Sequence, residues 1–202
     1  MVLSAISVSA QQLSIGPRVG MNFSSMKNLD GSMSTNGFTG GATMNYRFLD
    51  FLGFSVDALY SAEGAKYVVD FDQSKIKYIT RLTYLRVPVL LNAYLGKEDA
   101  PIRAKIMLGP AIGFLLDAKS DLDVNGFSAE FDMNKSDFKS TDFGAIAGAG
   151  IDFVLTDRTI LNLDGRYYFG ATKIFDTNIS SLNDVKNACA SVTLGLSFII
   201  GD

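Results

Sequence analysis

Between residues 84 and 116 apolar and polar side chains alternate with a period of two, interrupted once by the turn GKEDAP. Leu85, Val87, Val89, Leu91, Ala93 and Leu95 fall on one side, and Tyr84, Arg86, Pro88, Leu90, Asn92 and Tyr94 on the other. Beyond the turn, Ile102, Ala104, Ile106, Leu108, Ile112 and Phe114 oppose Arg103, Lys105, Met107, Gly109, Ala111 and Gly113. That period predicts strands, because successive side chains of a strand point to opposite faces. Each strand exceeds the usual length of about five or six residues, and one face of each is apolar throughout. The pattern predicts a hairpin standing in a lipid bilayer.

The same alternation predicts strands over about 13–23, 37–48, 52–64, 139–155 and 159–170, and a last one ending the chain. Polar loops are expected over 24–36, 65–78, 117–138 and 171–186, with short turns between the other strands. Connections then alternate strictly between long and short. In an antiparallel array all long loops lie at one end, and the short turns and both termini at the other. This is the asymmetry of bacterial outer-membrane barrels, with short periplasmic turns and long extracellular loops. The expected fold is an all-β, eight-stranded, antiparallel up-and-down transmembrane β-barrel over residues 11–202. Closure removes the sheet edges, which hydrocarbon does not tolerate.

The polar face carries Arg18, Arg47, Asp57, Glu63, Arg86, Arg103, Lys105, Asp142, Asp152, Asp164 and Arg166. A charge facing lipid costs on the order of 2–4 kcal/mol near the midplane, so all eleven are placed in the lumen. Six are positive and five negative, which allows near-complete pairing, and a buried charge needs a partner. Counting from the periplasmic ends puts Asp152 near Arg103 or Lys105, and Glu63 near Arg86. Pro17, Pro88 and Pro110 fall inside strands; without an N–H they predict bulges or gaps in the ladders.

Composition narrows the function classes. The chain has 202 residues, 19 Gly, 15 Phe and 8 Tyr, but neither His nor Trp. Without His the usual base of hydrolases is missing, which argues against an enzyme. Asp57, Glu63 and Asp152 as acid–base groups are a weaker reading than lumen ion pairs. A net charge of −3 with no basic run gives no sign of nucleic acid. The first residues, MVLSAISVSAQQ, read as the end of a secretory signal, with residues 1–10 as its remnant and cleavage before Gln11. A disordered N-terminus is the alternative.

One stretch resembles a metal loop. In DLDVNGFSAEFD, Asp121, Asp123, Asn125 and Asp132 fit a calcium-loop spacing. The competing reading is a β-hairpin tip, which Asn125-Gly126 between alternating residues favours. Cys189 falls on the lumen face and reads as a small buried thiol. Tyr46, Phe48, Phe51, Phe54, Tyr60, Phe143, Phe153, Tyr167, Phe169 and Phe198 could form interfacial girdles. Phe198 also resembles the terminal aromatic that barrel-insertion machinery reads.

Laid out this way, the chain resembles the PorT-type outer-membrane β-barrel family of Bacteroidetes. The carriers are GPRVGMNFS, SVDALYSAEGAKY, YLRVPVLLNAYLG, GPAIGFLLDAKS, DFGAIAGAGIDF, LDGRYYFGATKI and LGLSFIIGD. SAEGAKY and YLRVPVLL are the most specific. The family often has an acidic residue after the Tyr-Leu, where this chain has Arg86, so its lumen pairing is expected to differ. The resemblance implies an eight-stranded outer-membrane barrel surrounded by lipid and assigns no activity or cofactor. A barrel of eight strands is filled by its own side chains. The first functional expectation is therefore a structural or partner-binding protein, acting on a protein or glycan through long external loops. The family name implies a second, an accessory role in secretion, with a narrow channel beside it. A soluble lipocalin-like ligand-binding barrel is the third.

Overall fold

The computed structural model describes residues 12–27, 33–71, 74–96, 100–124, 127–132, 138–174 and 185–201. The expected signal remnant, residues 1–10, lies outside them. Nine strands run through the described residues: β1 (Gln12–Lys27), β2 (Thr35–Leu49), β3 (Leu52–Phe71), β4 (Ser74–Leu95), β5 (Ile102–Val124), β6 (Phe127–Asp132), β7 (Thr141–Thr156), β8 (Thr159–Gly170) and β9 (Lys186–Ile200). Eight of them close a ring in the order β1–β2–β3–β4–β5–β7–β8–β9 and back to β1, every neighbour antiparallel. The ring satisfies backbone donors and acceptors within the sheet, as hydrocarbon requires.

The faces are the reverse of a soluble barrel. Ile102, Ile106 and Leu108 point outward and are 55–62% exposed, whereas Arg18 inside is 1% exposed. Outward aromatic residues mark both rims. Phe51 and Phe198 lie at the short-turn end and Phe143 and Phe169 at the long-loop end. Tyr46 packs on Phe54 with ring centroids 5.3 Å apart.

The prolines sit where ladders lapse. The β1–β9 pairing skips from Ile15↔Phe198 to Arg18↔Gly195 around Pro17. The β4–β5 pairing skips from Pro88↔Ala111 to Leu91↔Leu108 around Pro110. Gly109 allows the close approach this requires, since a Cβ there would stand 2.0 Å from the Val89 carbonyl oxygen.

Two of the expected polar loops are corrected. Residues 65–71 and 74–78 extend β3 and β4, paired out to Phe71↔Ser74. Residues 117–124 extend β5, and 127–132 form β6 against it. Beyond the hydrocarbon the outer face need no longer be apolar, so the alternation that marks a membrane strand fades while the backbone ladder continues. A bulge at Leu116, between Tyr84↔Leu115 and Thr83↔Asp117, marks the level where this extension begins.

A closed ring of this kind resists SDS until heated. The unheated protein is expected to migrate faster on an SDS gel than the boiled protein. A single mobility at both temperatures would contradict closure.

Candidate functional site

The inward positions of the strands hold two charged clusters and an apolar cap, stacked along the barrel axis. All eleven charged residues placed in the lumen by alternation are buried. In the lower cluster β8 supplies Asp164 and Arg166, β1 Arg18, β3 Asp57, β5 Lys105 and β7 Asp152. Arg18 is bonded to Asp164, and its Nε lies 3.8 Å from Asp57. Arg166 bridges Asp57 at 2.5 Å and Asp164 at 3.0 Å. Lys105 donates to Asp152 at 2.7 Å. Its Nζ also stands 3.0 Å from Asp164 Oδ1, at ion-pair range but off the hydrogen-bond line. Three cations thus face three carboxylates, and the cluster is neutral. Thr193 and Asn162 complete it, accepting from Arg18 at 3.0 Å and donating to Asp152 at 2.8 Å. Gly150, on the inner face of β7, leaves the space for it. A Cβ there would stand 2.2 Å from an Asp164 oxygen and 3.0 Å from the Lys105 side chain.

The upper cluster is centred on Arg86 of β4. Its guanidinium binds Glu63 at 2.6 Å and Asp142 at 3.0 Å. It also lies 3.9 Å from the centroid of the Tyr168 ring and 4.9 Å from that of Tyr84, in cation–π range. Asn187 and Thr172 donate to Asp142 at 2.9 and 2.8 Å. Near the short turns, Arg47 stacks over Tyr94 at 4.4 Å. Arg103 is buried opposite Asp152 in the β5–β7 register. Cys189 is buried beside Leu90, Met107 and Tyr168.

Above Arg86 the lumen turns apolar. Met26, Ala65, Leu82, Tyr84 and Ala118 from the strands pack with Phe138, Ile174 and Val185 from the segments joining β6 to β7 and β8 to β9. Backbone bonds pin those segments, from Lys139 N to Ile174 O at 2.8 Å and from Ile174 N to Val185 O at 3.0 Å. Between the two charged clusters lies a cavity of about 30 Å³ bordered by Arg166, Arg86, Tyr168 and Cys189. That is room for roughly one or two waters.

Alternation put Tyr84, Tyr94 and Tyr168 on the inner face without indicating that they stack on guanidinium groups. The cap residues Phe138, Ile174 and Val185 lie in stretches without periodicity and carried no signal. Asp57, Glu63 and Asp152, the carboxylates weighed for acid–base work, are each bonded to a cation.

Residues 119–124 pair antiparallel with 127–132, from Lys119↔Asp132 to Val124↔Phe127. Asn125 lies outside the described residues. Asp121 is held by Arg81 at 2.6 Å. Among the described residues no group of three or more acidic, Cys or His side chains gathers for a metal.

Two measurements address these groups. Glu63→Gln leaves Arg86 with one carboxylate and is expected to destabilise the barrel by about 3–5 kcal/mol in urea unfolding. Exchanging the pair, Glu63→Arg with Arg86→Glu, should recover part of that loss; no recovery would deny the pairing its structural role. Calcium titrated to millimolar concentration should evolve no heat, because Asp121 is already engaged by Arg81 and its strand is paired with β6.

Residues 9–176 match the family described as outer membrane protein beta-barrel domain. No curated protein matches the sequence. Similar solved structures include Neisserial surface protein A, 16% identical with a TM-score of 0.51, covering 92% of this chain and 96% of that one. OprG from Pseudomonas aeruginosa is 19% identical with a TM-score of 0.51, covering 96% and 97%. At these identities the likeness speaks for the fold alone. With the family match extending over most of the chain, this protein belongs to the outer membrane protein beta-barrel domain family and is a bacterial outer-membrane β-barrel.

Proposed function

We propose that this barrel conducts no solute and acts through its long-loop end, where it presents a protruding sheet to a protein partner outside the cell. The short turns and both termini then face the periplasm. The observation that carries this reading is the part of the sheet that outgrows the ring. β7 leaves β5 at Phe114↔Thr141, yet β4 and β5 stay paired to Ile76↔Val124. β3 and β6 flank them, making a four-stranded blade beyond the barrel. Along its outer edge β6 pairs with no strand among the described residues. An open edge offers main-chain donors and acceptors to an extended segment of another protein. That chemistry favours a protein over a glycan.

The interior supports the same division of labour. The cap closes the long-loop end, and the charged clusters cross the lumen beneath it. An ion passing through would have to break buried pairs. The finer kinship, with the PorT-type barrels of Bacteroidetes, rests on SAEGAKY and YLRVPVLL. Phe198, outward at the short-turn end and 45% exposed, is offered to the insertion machinery. We assign no catalytic role.

In planar bilayers the protein is expected to give no steady conductance steps; regular steps would overturn the closed-lumen reading. Deleting residues 125–132 should preserve the unheated gel mobility and abolish cross-linking to the partner in intact cells. The same cross-linked band in both proteins would remove the blade from the interaction.

A further inference from the structure

We propose that a groove on the outer wall, at the root of the blade, binds the sugar headgroup of a glycolipid in the outer leaflet. The groove has a volume of about 300 Å³, and Asn36, Tyr60, Arg81, Thr83, Asp117 and Lys119 line it. That size is at the lower end of the range for ligand pockets. Two features of the chain hollow it out. The β2–β3 ladder stops at Thr39↔Ser61 and resumes, among the described residues, in the isolated bridge Met33↔Lys66. Main-chain groups freed there are taken up from inside the barrel. Asn22 donates to the Ala62 carbonyl at 3.1 Å, and the Gly64 N–H donates to Ser24 at 2.8 Å. The second feature is side-chain length. Ala62 and Thr83, partners across β3 and β4, are short residues among the longer Tyr60, Arg81 and Lys119.

The depth of the groove fits a headgroup. One outward row below it, Tyr60, Leu85 and Phe114 are partners across β3, β4 and β5 and are 37–48% exposed. The next outward row is Ala62, Thr83 and Asp117, and above it come Gly64, Arg81 and Lys119. The wall thus passes from apolar to polar in one step. Tyr60 stands at the boundary, as tyrosine does at a membrane–water interface. A lipid lying along the apolar row has its headgroup in the groove. Charge then selects the headgroup. Arg81 and Lys119 share this face with Asp117 and Asp121, and Arg81 is bonded to Asp121 at 2.6 Å. Two cations and two carboxylates balance, so the groove has no net charge with which to hold a phosphate. It offers donors and acceptors side by side instead, with the neutral Asn36 and Thr83 among them. A hydroxyl both donates and accepts, so a hydroxyl-rich ring bonds cation and carboxylate together and leaves their pairing intact. The Tyr60 ring gives the C–H face of the same sugar a flat surface to lie on.

Native mass spectrometry of the full-length barrel in an amine-oxide detergent, which carries no sugar, tests this. The probes are a diacylglycerol bearing a neutral disaccharide and phosphatidylglycerol with the same acyl chains. The wild type is expected to hold the glycolipid more tightly. Ala62→Phe fills the floor of the groove and should abolish that preference. Tyr60→Ala should weaken glycolipid binding about 10-fold, the usual loss when a well-placed ring is removed from a contact. Ala58→Phe adds the same ring within the apolar belt, one outward position below Tyr60, and should bind like the wild type. Unheated gel mobility checks that every variant is folded. Equal or tighter binding of phosphatidylglycerol by the wild type, an unchanged preference in either folded groove variant, or an equal loss in Ala58→Phe would overturn the site. Release of the glycolipid by millimolar soluble disaccharide would assign the groove to free sugar and overturn the lipid reading.

Discussion

Hydrocarbon gives the peptide group no hydrogen-bonding partner, and the rest of this structure follows from that. The strands must close on themselves, and eight make a ring too narrow for solvent to fill. Whatever points inward is then buried whether it is polar or not. Outward positions are free to be apolar and have to be. The inversion, with Leu108 exposed and Arg18 hidden, is the consequence of one solvent constraint applied to a period of two.

A narrow lumen imposes its own demand. A guanidinium or ammonium there has lost its water, and a carboxylate restores what burial took away. The lower cluster meets this with three of each sign; the upper one sets Arg86 between two carboxylates and against two tyrosine rings. Space is part of the solution, since Gly150 leaves the volume that Asp164 and Lys105 occupy. Toward the long-loop end the polar lining gives way to Leu82, Phe138 and Val185. Interior and exterior therefore differ: one fills and locks the barrel, the other carries the apolar surface that meets lipid and, in the function proposed, the edge that meets a partner.

Much of this was legible in the sequence, and the limits have physical causes. Strand faces within the bilayer were readable because lipid enforces alternation residue by residue. Counting back from the short turns puts Glu63 near Arg86 and Asp152 near Arg103 or Lys105; Glu63 bonds Arg86, and Asp152 bonds Lys105 while facing Arg103 in the ladder. Where the strands rise out of the membrane the enforcement ends, so residues 65–71 and 117–124 read as loops although the ladder runs on. The tyrosine–arginine stacking was hidden for another reason. Alternation tells which side a residue faces, not how far around the barrel its neighbour stands. Phe138, Ile174 and Val185 belong to no periodic segment, and their burial depends on the return path of two connections.

The bond between Arg18 and Asp164 joins the first strand to the eighth, 146 residues apart in the chain. Such a contact contributes nothing until almost the whole chain has been threaded and both ends of the sheet have met. Asp57 of β3 waits on the same event, since it meets Arg166 of β8 only across the closed ring, whereas Lys105 and Asp152 already meet between neighbouring strands. The cluster therefore acts as a clasp that fastens only at the last step of assembly. A sheet that has not closed leaves Arg18 and Asp57 without their partners on β8. The ion pairs that reach from β1 and β3 to β8 thus reward a closed ring over an open sheet.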